Sequence, residues 1–510
     1  MSIGDPMITG SEIAAGLTMR PGGQVSPSVY ETGRLVALAP WLTGHDRRIG
    51  FLAESQRGDG GWGGPEGYAL VPTLSAVEAL LAVITRGDRT ADLPTVVRTA
   101  RRGLEFLTGW LGGAKNTSLP DTPANELIIP FLIEQINLYA HALVEYELPT
   151  KPLYFPSGMD GALLDVIRAR LASGADVPAK LHHTLEVMGA AAAVTPAAGG
   201  VVGASPAAAA AWLGDRGLLD PADPVRQQLE AVVDLHGGPV PVGFPITVFE
   251  RGWVLAWLLR AGLAPDVPEG LIADLNAAIG PAGTPAGPGL PADADTTSVA
   301  LYALALLGHS REPDSLWLFA SGDHFCTWPG EQGASATVNA HVIDAFGHYA
   351  TTHPTASPRY AAAIGHLTAW LCERQRVDGS WEDRWHASPY YATVSCVLAL
   401  ADFGGAAGRE PVERAVRWTR QTQRVDGSWG HWRGTPEETA YAIQILLAGP
   451  DPRKDAARLA RGVDYLRRAP REANQPLWHD KDLYLPYAIV DSVVLAARHR
   501  AEIFLGGASA

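Results

Sequence analysis

Apolar residues recur at three- and four-residue spacing through most of the chain, the signature of helices that bury one face. The clearest stretches run Thr73–Ile84, Val97–Thr108, Ser298–Leu307, Val338–Tyr349, Tyr391–Phe403 and Glu438–Leu447. No run alternates convincingly with a period of two, so the pattern predicts an all-α chain. Pro and Gly gather at Thr195–Pro206, Gly237–Pro245 and Leu263–Pro291, where loops or boundaries are expected.

Between the helical stretches a short pattern returns. Gln56-Arg-Gly-Asp-Gly-Gly-Trp62, Gln375-Arg-Val-Asp-Gly-Ser-Trp381 and Gln423-Arg-Val-Asp-Gly-Ser-Trp429 share Q-R-x-D-G-[GS]-W. A repeat on the order of 50 residues accommodates one pair of helices, as in stacked or closed helical arrays. Asp-Gly makes the turn, because Gly tolerates positive φ. The Gln amide can bond the end of a neighbouring helix. The segments are expected to be staples between helices, with pocket lining by their Trp as the other reading.

Composition narrows the function classes. The 510 residues allow a large core and several domains, and 47 % hydrophobic with 18 % charged residues describes a globular protein. A net charge of −14 with no long basic run argues against nucleic acid as partner. Three cysteines, Cys326, Cys372 and Cys396, lack a CxxC and read as reduced thiols of a cytoplasmic protein. The first twenty residues lack the pattern of a signal peptide. The most apolar window, Val187–Leu213, is Ala-rich, interrupted by Pro and Gly, and a poor membrane span.

The chemistry concentrates in Asp293-Ala-Asp295-Thr296-Thr297-Ser298, which follows a Pro/Gly-rich run and leads into an apolar helix. An Asp-x-Asp start of this kind serves two chemistries: alkene protonation, and phosphoryl transfer through an aspartyl-phosphate in phosphatases of the haloacid dehalogenase type. The second requires an apolar strand of a doubly wound sheet before the motif. Gly-Pro-Gly-Leu-Pro-Ala stands there instead, which a central strand does not tolerate. Asp is also a good helix N-cap, so the pair has a plain structural reading as well.

The three Q-R-x-D-G-[GS]-W segments resemble the QW motifs of the squalene–hopene and class II terpene cyclase superfamily. Ser26-Pro-Ser-Val-Tyr30-Glu-Thr32 resembles the S-x-x-Y-D-T stretch of copalyl diphosphate synthases, and Glu126-Leu-Ile-Ile-Pro130 their F-E-x-x-x-P segment without the Phe. Phe249-Glu-Arg-Gly-Trp253, Val338-Asn339-Ala-His341, Trp385-His-Ala-Ser-Pro-Tyr390-Tyr391, Arg433-Gly-Thr-Pro-Glu-Glu-Thr and Leu477-Trp-His-Asp-Lys481-Asp-Leu-Tyr484 are similar to bacterial members. The ordered set spans roughly residues 26 to 496.

The resemblance implies two α/α toroids, a double α-barrel of βγ type. A first β-domain segment is expected over residues 1–40, an inserted γ-domain over 41–248, and the β-domain with the acid motif over 249–510. It implies Asp295 as proton donor, supported by Asp293, with Thr296 where most of the family has Asp and Asn339 bonded to the acid. Two close carboxylates disfavour double ionisation, so one retains a proton. A helix N-terminus favours the anion while burial opposes it, and the sequence does not weigh the two. Phe249, Trp253, Trp328, Trp385, Tyr390 and Tyr391 are candidates to face a carbocation, or ordinary core aromatics. Lys481 and Arg433 are candidates for the diphosphate, and Glu126 with Asp121 for a Mg²⁺ ion beside it. Asp-x-Asp-Thr-Thr resembles drimenyl diphosphate synthases. The expected reaction is therefore bicyclisation of farnesyl diphosphate with the diphosphate kept, and the alternative is a twenty-carbon cyclase making a copalyl- or halimadienyl-type diphosphate. A non-catalytic toroid is the competing class; the zinc-ligand set of the related prenyltransferases is not evident.

Overall fold

The computed structural model describes residues 8–88, 92–113, 119–142, 144–189, 194–331 and 333–507. The helices are α1 (Gly10–Met19), α2 (Val29–Leu38), α3 (His45–Glu54), α4 (Leu70–Arg86), α5 (Leu93–Gly112), α6 (Asn125–Ala142), α7 (Ala162–Ala172), α8 (Pro206–Leu213), α9 (Arg216–Leu219) and α10 (Pro224–His236). They continue as α11 (Thr247–Arg260), α12 (Glu269–Ala278), α13 (Ala294–Leu306), α14 (Ala336–Thr352), α15 (Ser357–Arg374), α16 (Pro389–Phe403), α17 (Arg409–Gln421), α18 (Pro436–Leu447), α19 (Ala456–Arg468) and α20 (Tyr487–Gly507). Strands are confined to two-residue ladders among the described residues: β1 (Ala320–Ser321) with β2 (His324–Phe325), and β3 (Trp478–His479) with β4 (Leu483–Tyr484). The fold excludes the doubly wound sheet that an aspartyl-phosphate mechanism needs.

Helices α11, α13, α14, α16, α18 and α20 pack side by side in that order, and α20 returns to α11. Their apolar residues form one continuous core. A second ring runs α2, α4, α6, the 3₁₀ segment Ala179–Val187 and α8, which returns to α2 around its own core. The molecule is an all-α double α-barrel. Outer helices such as α17 and α19 bury one face only, as their polar opposite faces dictate. In contrast to the division expected near residue 40, α1 joins the first core while Val29, Tyr30 and Leu35 of α2 join the second. The Val187–Leu213 window does not form one helix: α8 covers only its end. Among the described residues, the helical stretch with membrane-like length and hydropathy is Glu66–Arg86, and 94 % of its 18-residue apolar window is buried in the protein, as a core helix is.

The repeated turns join an outer helix to an inner one. Trp62, Trp381 and Trp429 are wholly buried, and each indole N–H donates to the last turn of the preceding helix, at Leu52, Leu371 and Thr419 carbonyls 2.7–2.8 Å away. These are carbonyls that the helix itself leaves unpaired. Gln56, Gln375 and Gln423 bond both their own turn and a carbonyl of the next outer helix, at Thr99, Pro411 and Arg458. Gly379 and Gly427 have φ of +101° and +92°, and a Cβ there would sit 2.6 Å from the Arg414 and Arg461 carbonyls. Only Gly fits both constraints.

A seam joins the barrels. Asp482, in the β3–β4 hairpin, accepts from the Val29 amide and from Ser28, while Leu485 and Ser26 exchange hydrogen bonds. Tyr30 donates to Glu186 at 2.7 Å, and Glu31 accepts from Ser205 and the Ala207 amide. The Ser26–Thr32 motif is thus a clamp between domains.

Candidate active site

The first turns of the inner helices meet around Asp295. Asp293 is the N-cap of α13: its side chain accepts from the Thr296 amide at 2.6 Å. The next helical carboxylate, Asp295, is left to point across the ring, where its Oδ1 lies 2.6 Å from His341 Nδ1 on α14. Asp295 keeps 13 % of its side chain accessible, and no protein group is bonded to its Oδ2 among the described residues. Burial, relieved in part by the Thr296 amide and reinforced by the Asp295 charge, pushes Asp293 up to about 7. Burial therefore outweighs the helix terminus at this carboxyl. Burial disfavours the imidazolium of His341, yet the Asp295 charge and hydrogen bond, with Asp344 and Asp383, raise its pKa overall. Asp383 stands nearby and accepts from Ser335, the Thr337 amide and hydroxyl, and the Trp385 amide.

Aromatic rings enclose this centre. Phe249 and Trp253 lie 4.3 Å apart by centroid on α11, and the Trp253 ring stands edge-on to His341 at 5.5 Å. The Trp253 indole donates to the Tyr391 hydroxyl at 2.9 Å. Tyr391 packs on Trp478 at 4.7 Å and stacks on His386 at 4.8 Å. Trp328 and Trp385 form a perpendicular pair at 5.4 Å, beside Thr327, which accepts the α13 Ala294 amide through its carbonyl. Such rings present electron-rich faces to a cation in a dry setting.

One carboxylate organises the far wall. Glu437 Oε1 accepts from the Trp478 indole at 2.8 Å, the Tyr441 hydroxyl at 3.0 Å and His386 Nε2 at 3.3 Å. The Ser388 amide donates to His386 Nδ1 at 3.0 Å, which leaves Nε2 as the protonated nitrogen. Sequence reasoning missed Glu437, Trp478 and the Asp295 contact of His341. Their signal was position alone: each sits in a segment already matched to the family.

Several expected assignments do not survive the geometry. Asn339 does not touch the acid. Its amide is spent on the Phe325 backbone, accepting from N–H at 2.8 Å and donating to the carbonyl at 3.0 Å, and on the Ser335 carbonyl. It anchors β2 to α14; His341 holds the acid instead. Tyr390 lies outside the ring of aromatics, packed on Trp418 of α17 at 4.5 Å, because neighbouring helical residues point about 100° apart. Lys481 is fully buried and offers no free proton to a diphosphate. It pairs with Glu31 and with Glu186 at 3.1 Å, and donates to Ser205 and the His183 carbonyl. Arg433 is exposed at the entry to α18, near Tyr465.

The Mg²⁺ assignment is overturned. Asp121 is paired with Arg384 at 3.2 Å, and Glu126 is exposed on the first turn of α6. No three His, Cys, Asp or Glu side chains group as a ligand set among the described residues.

Comparisons with known proteins place the chain in a family. The squalene-hopene cyclase C-terminal domain family matches residues 332–484. An ent-copalyl diphosphate synthase of Streptomyces sp. (strain KO-3988) is 43 % identical over 93 % of this chain and 92 % of that protein. A labda-7,13-dienyl diphosphate synthase of Streptomyces clavuligerus is 39 % identical over 94 % of this chain and 90 % of its own length. The solved ent-copalyl diphosphate synthase from Streptomyces platensis superposes with a TM-score of 0.90, at 42 % identity over 98 % of this chain and 99 % of that one. An acid at a helix start, facing aromatic walls in a double α-barrel, together with near-full-length identity above 40 %, makes this chain a member of the class II terpene cyclases.

Proposed function

We propose that the chain is a class II diterpene cyclase that protonates geranylgeranyl diphosphate and closes two rings, giving a copalyl-type diphosphate. The Asp295–His341 pair facing Trp253 and Tyr391 is the observation that carries it. Asp295 delivers a proton from its open oxygen to the terminal alkene, and two internal alkenes close on the resulting tertiary cation. Trp253, Tyr391, Trp478 and Phe249 stabilise positive charge through their ring faces and exclude water. Loss of a proton from the bicyclic cation ends the sequence, so the diphosphate leaves unchanged. The twenty-carbon choice rests on the relatives, which are named for copalyl and labdadienyl diphosphates. Unpaired thiols at Cys326, Cys372 and Cys396 suit a reducing compartment.

Thr296 supports a second reading, the fifteen-carbon farnesyl substrate, because it stands where most of the family has Asp. Its amide and hydroxyl serve Asp293, a task independent of substrate length, so the twenty-carbon reading is preferred. The test is separate incubation with geranylgeranyl and farnesyl diphosphates, then phosphatase treatment and mass spectrometry. A bicyclic C20 alcohol is expected. A bicyclic C15 alcohol as main product, or free phosphate released before the phosphatase is added, overturns the proposal.

A further inference from the structure

The three repeated turns are built alike, but the third departs from its siblings. Arg102, Arg414 and Arg461 hold the same place on the outer helix that follows each turn: a Cβ on Gly60, Gly379 or Gly427 would meet their carbonyls at 2.6 Å. Seven residues on, α5 has Gly109 and α17 has Gln421, whereas α19 has Arg468. Four residues after the turn Trp stand Glu66, Trp385 and, in the third copy, Arg433. Trp418, four residues on from Arg414, is buried, while Tyr465 in the matching place is half-buried and ends in a hydroxyl.

These differences surround an open cavity of about 490 Å³, a volume in the range of small-molecule sites. It lies between Val425 and Asp426 of the turn and Arg461, Asp464, Tyr465 and Arg468 of α19. The α19 residues are spaced by three and four and so form one helix face. The Tyr465 hydroxyl donates to the Gly434 carbonyl at 3.1 Å, which ties the segment carrying Arg433 to the same helix, and the charges of Arg424 and Arg433 act on that hydroxyl.

Both carboxylates in the lining are engaged. Asp426 accepts from the Ser428 amide at 3.0 Å and its hydroxyl at 2.7 Å, and Asp464 pairs with Arg467 at 3.6 Å. The cations have no carboxylate partner among the described residues. Arg461 donates to the Gln423 amide oxygen, Arg468 uses only Nε, on the Asp464 carbonyl at 3.0 Å, and the Arg433 guanidinium has no protein partner there. In a chain of net charge −14, uncompensated guanidinium groups around one concavity select an anion, and forks at separate points suit one with more than one charged group.

We propose that this cavity is a binding site for a diphosphate group, free or on a small organic carrier, held by Arg433, Arg461 and Arg468. It shares no lining residue with the Asp295 centre, and it does not depend on the cyclase reaction. Val425, which is fully exposed, and the Tyr465 ring offer a carrier an apolar wall.

The test is isothermal titration calorimetry of the intact chain with inorganic diphosphate, repeated on Arg433→Ala, Arg468→Ala and, as a control for net charge, Arg417→Ala on the second repeat. All three side chains are exposed, and a thermal melt checks that each variant folds. The expected result is a binding event at sub-millimolar diphosphate that Arg433→Ala and Arg468→Ala each weaken at least about tenfold, the scale of one lost charge-assisted contact, and that Arg417→Ala leaves unchanged. Binding equal in all four proteins, or absent from the unmodified chain, overturns the site. Orthophosphate bound as tightly as diphosphate overturns the ligand class. Dimethylallyl diphosphate then separates the two sources: tighter binding than inorganic diphosphate, lost in Arg468→Ala, supports a carrier packed on Val425 and Tyr465, and equal binding supports the free anion.

Discussion

The Thr296 amide donates to Asp293 at 2.6 Å while Asp295, two residues on from Asp293, reaches His341, so the two carboxylates of one motif do different work. Asp293 closes the helix and, with its pKa pushed up to about 7 by burial and the Asp295 charge, holds a proton that limits charge at the site. Raised above the ordinary carboxylate range, it favours the fold most at low pH, and that contribution is lost as pH rises through about 7. Activity is expected to fall over the same range, as Asp293 ionises beside the acid. Asp293→Asn keeps a good cap and removes this titration. The basic limb of kcat/KM against pH near 7 should disappear in the variant, and a limb that persists assigns it to another group.

His341, not Asn339, is the side chain bonded to Asp295. His341→Ala removes the hydrogen bond that orients the acid without opening a strand or a cap. Its kcat should fall by about 10²–10⁴, the scale of a lost acid–base partner, with KM within a few-fold. A fall confined to KM would mean that His341 serves binding.

The barrels and a carboxylate pair at a helix start were readable in the sequence, for physical reasons. Amphipathic periodicity and the Asp-Gly turns are local, and the Trp and Gln of each repeat reach only to adjacent helices. Asp293 could be read as a cap because capping is local as well. Partners brought together by ring closure were not legible. Nothing near position 481 in the chain says that Glu31 and Glu186 enclose its ammonium, and Asn339, two residues before His341, looked suited to the acid. The Asp121 and Glu126 assignment failed similarly, because Arg384 from the other barrel engages Asp121.

Lys481 makes a stability prediction in place of a binding one. Lys481→Met leaves two carboxylates buried at the seam without their cation, which typically costs about 3–5 kcal/mol. The midpoint of urea unfolding should drop accordingly. An unchanged midpoint with a raised KM would return Lys481 to the diphosphate.

Glu437 ties together the wall that faces the acid. One oxygen holds the Trp478 indole, the Tyr441 hydroxyl and His386 Nε2, and these rings pack on Tyr391, which the Trp253 indole fixes from the acid side. Glu437→Ala strands three buried donors, at about 1–3 kcal/mol each where no water replaces the partner. They relax towards new partners, and the ring faces lose their alignment to the second ring-closing carbon. Protonation at Asp295 is untouched, so substrate is still consumed. The expected outcome is a product mixture enriched in monocyclic and water-quenched alcohols after phosphatase treatment, read by gas chromatography with mass detection. A clean bicyclic product at reduced rate would show that Glu437 supports the fold alone, and that the wall keeps its shape without it.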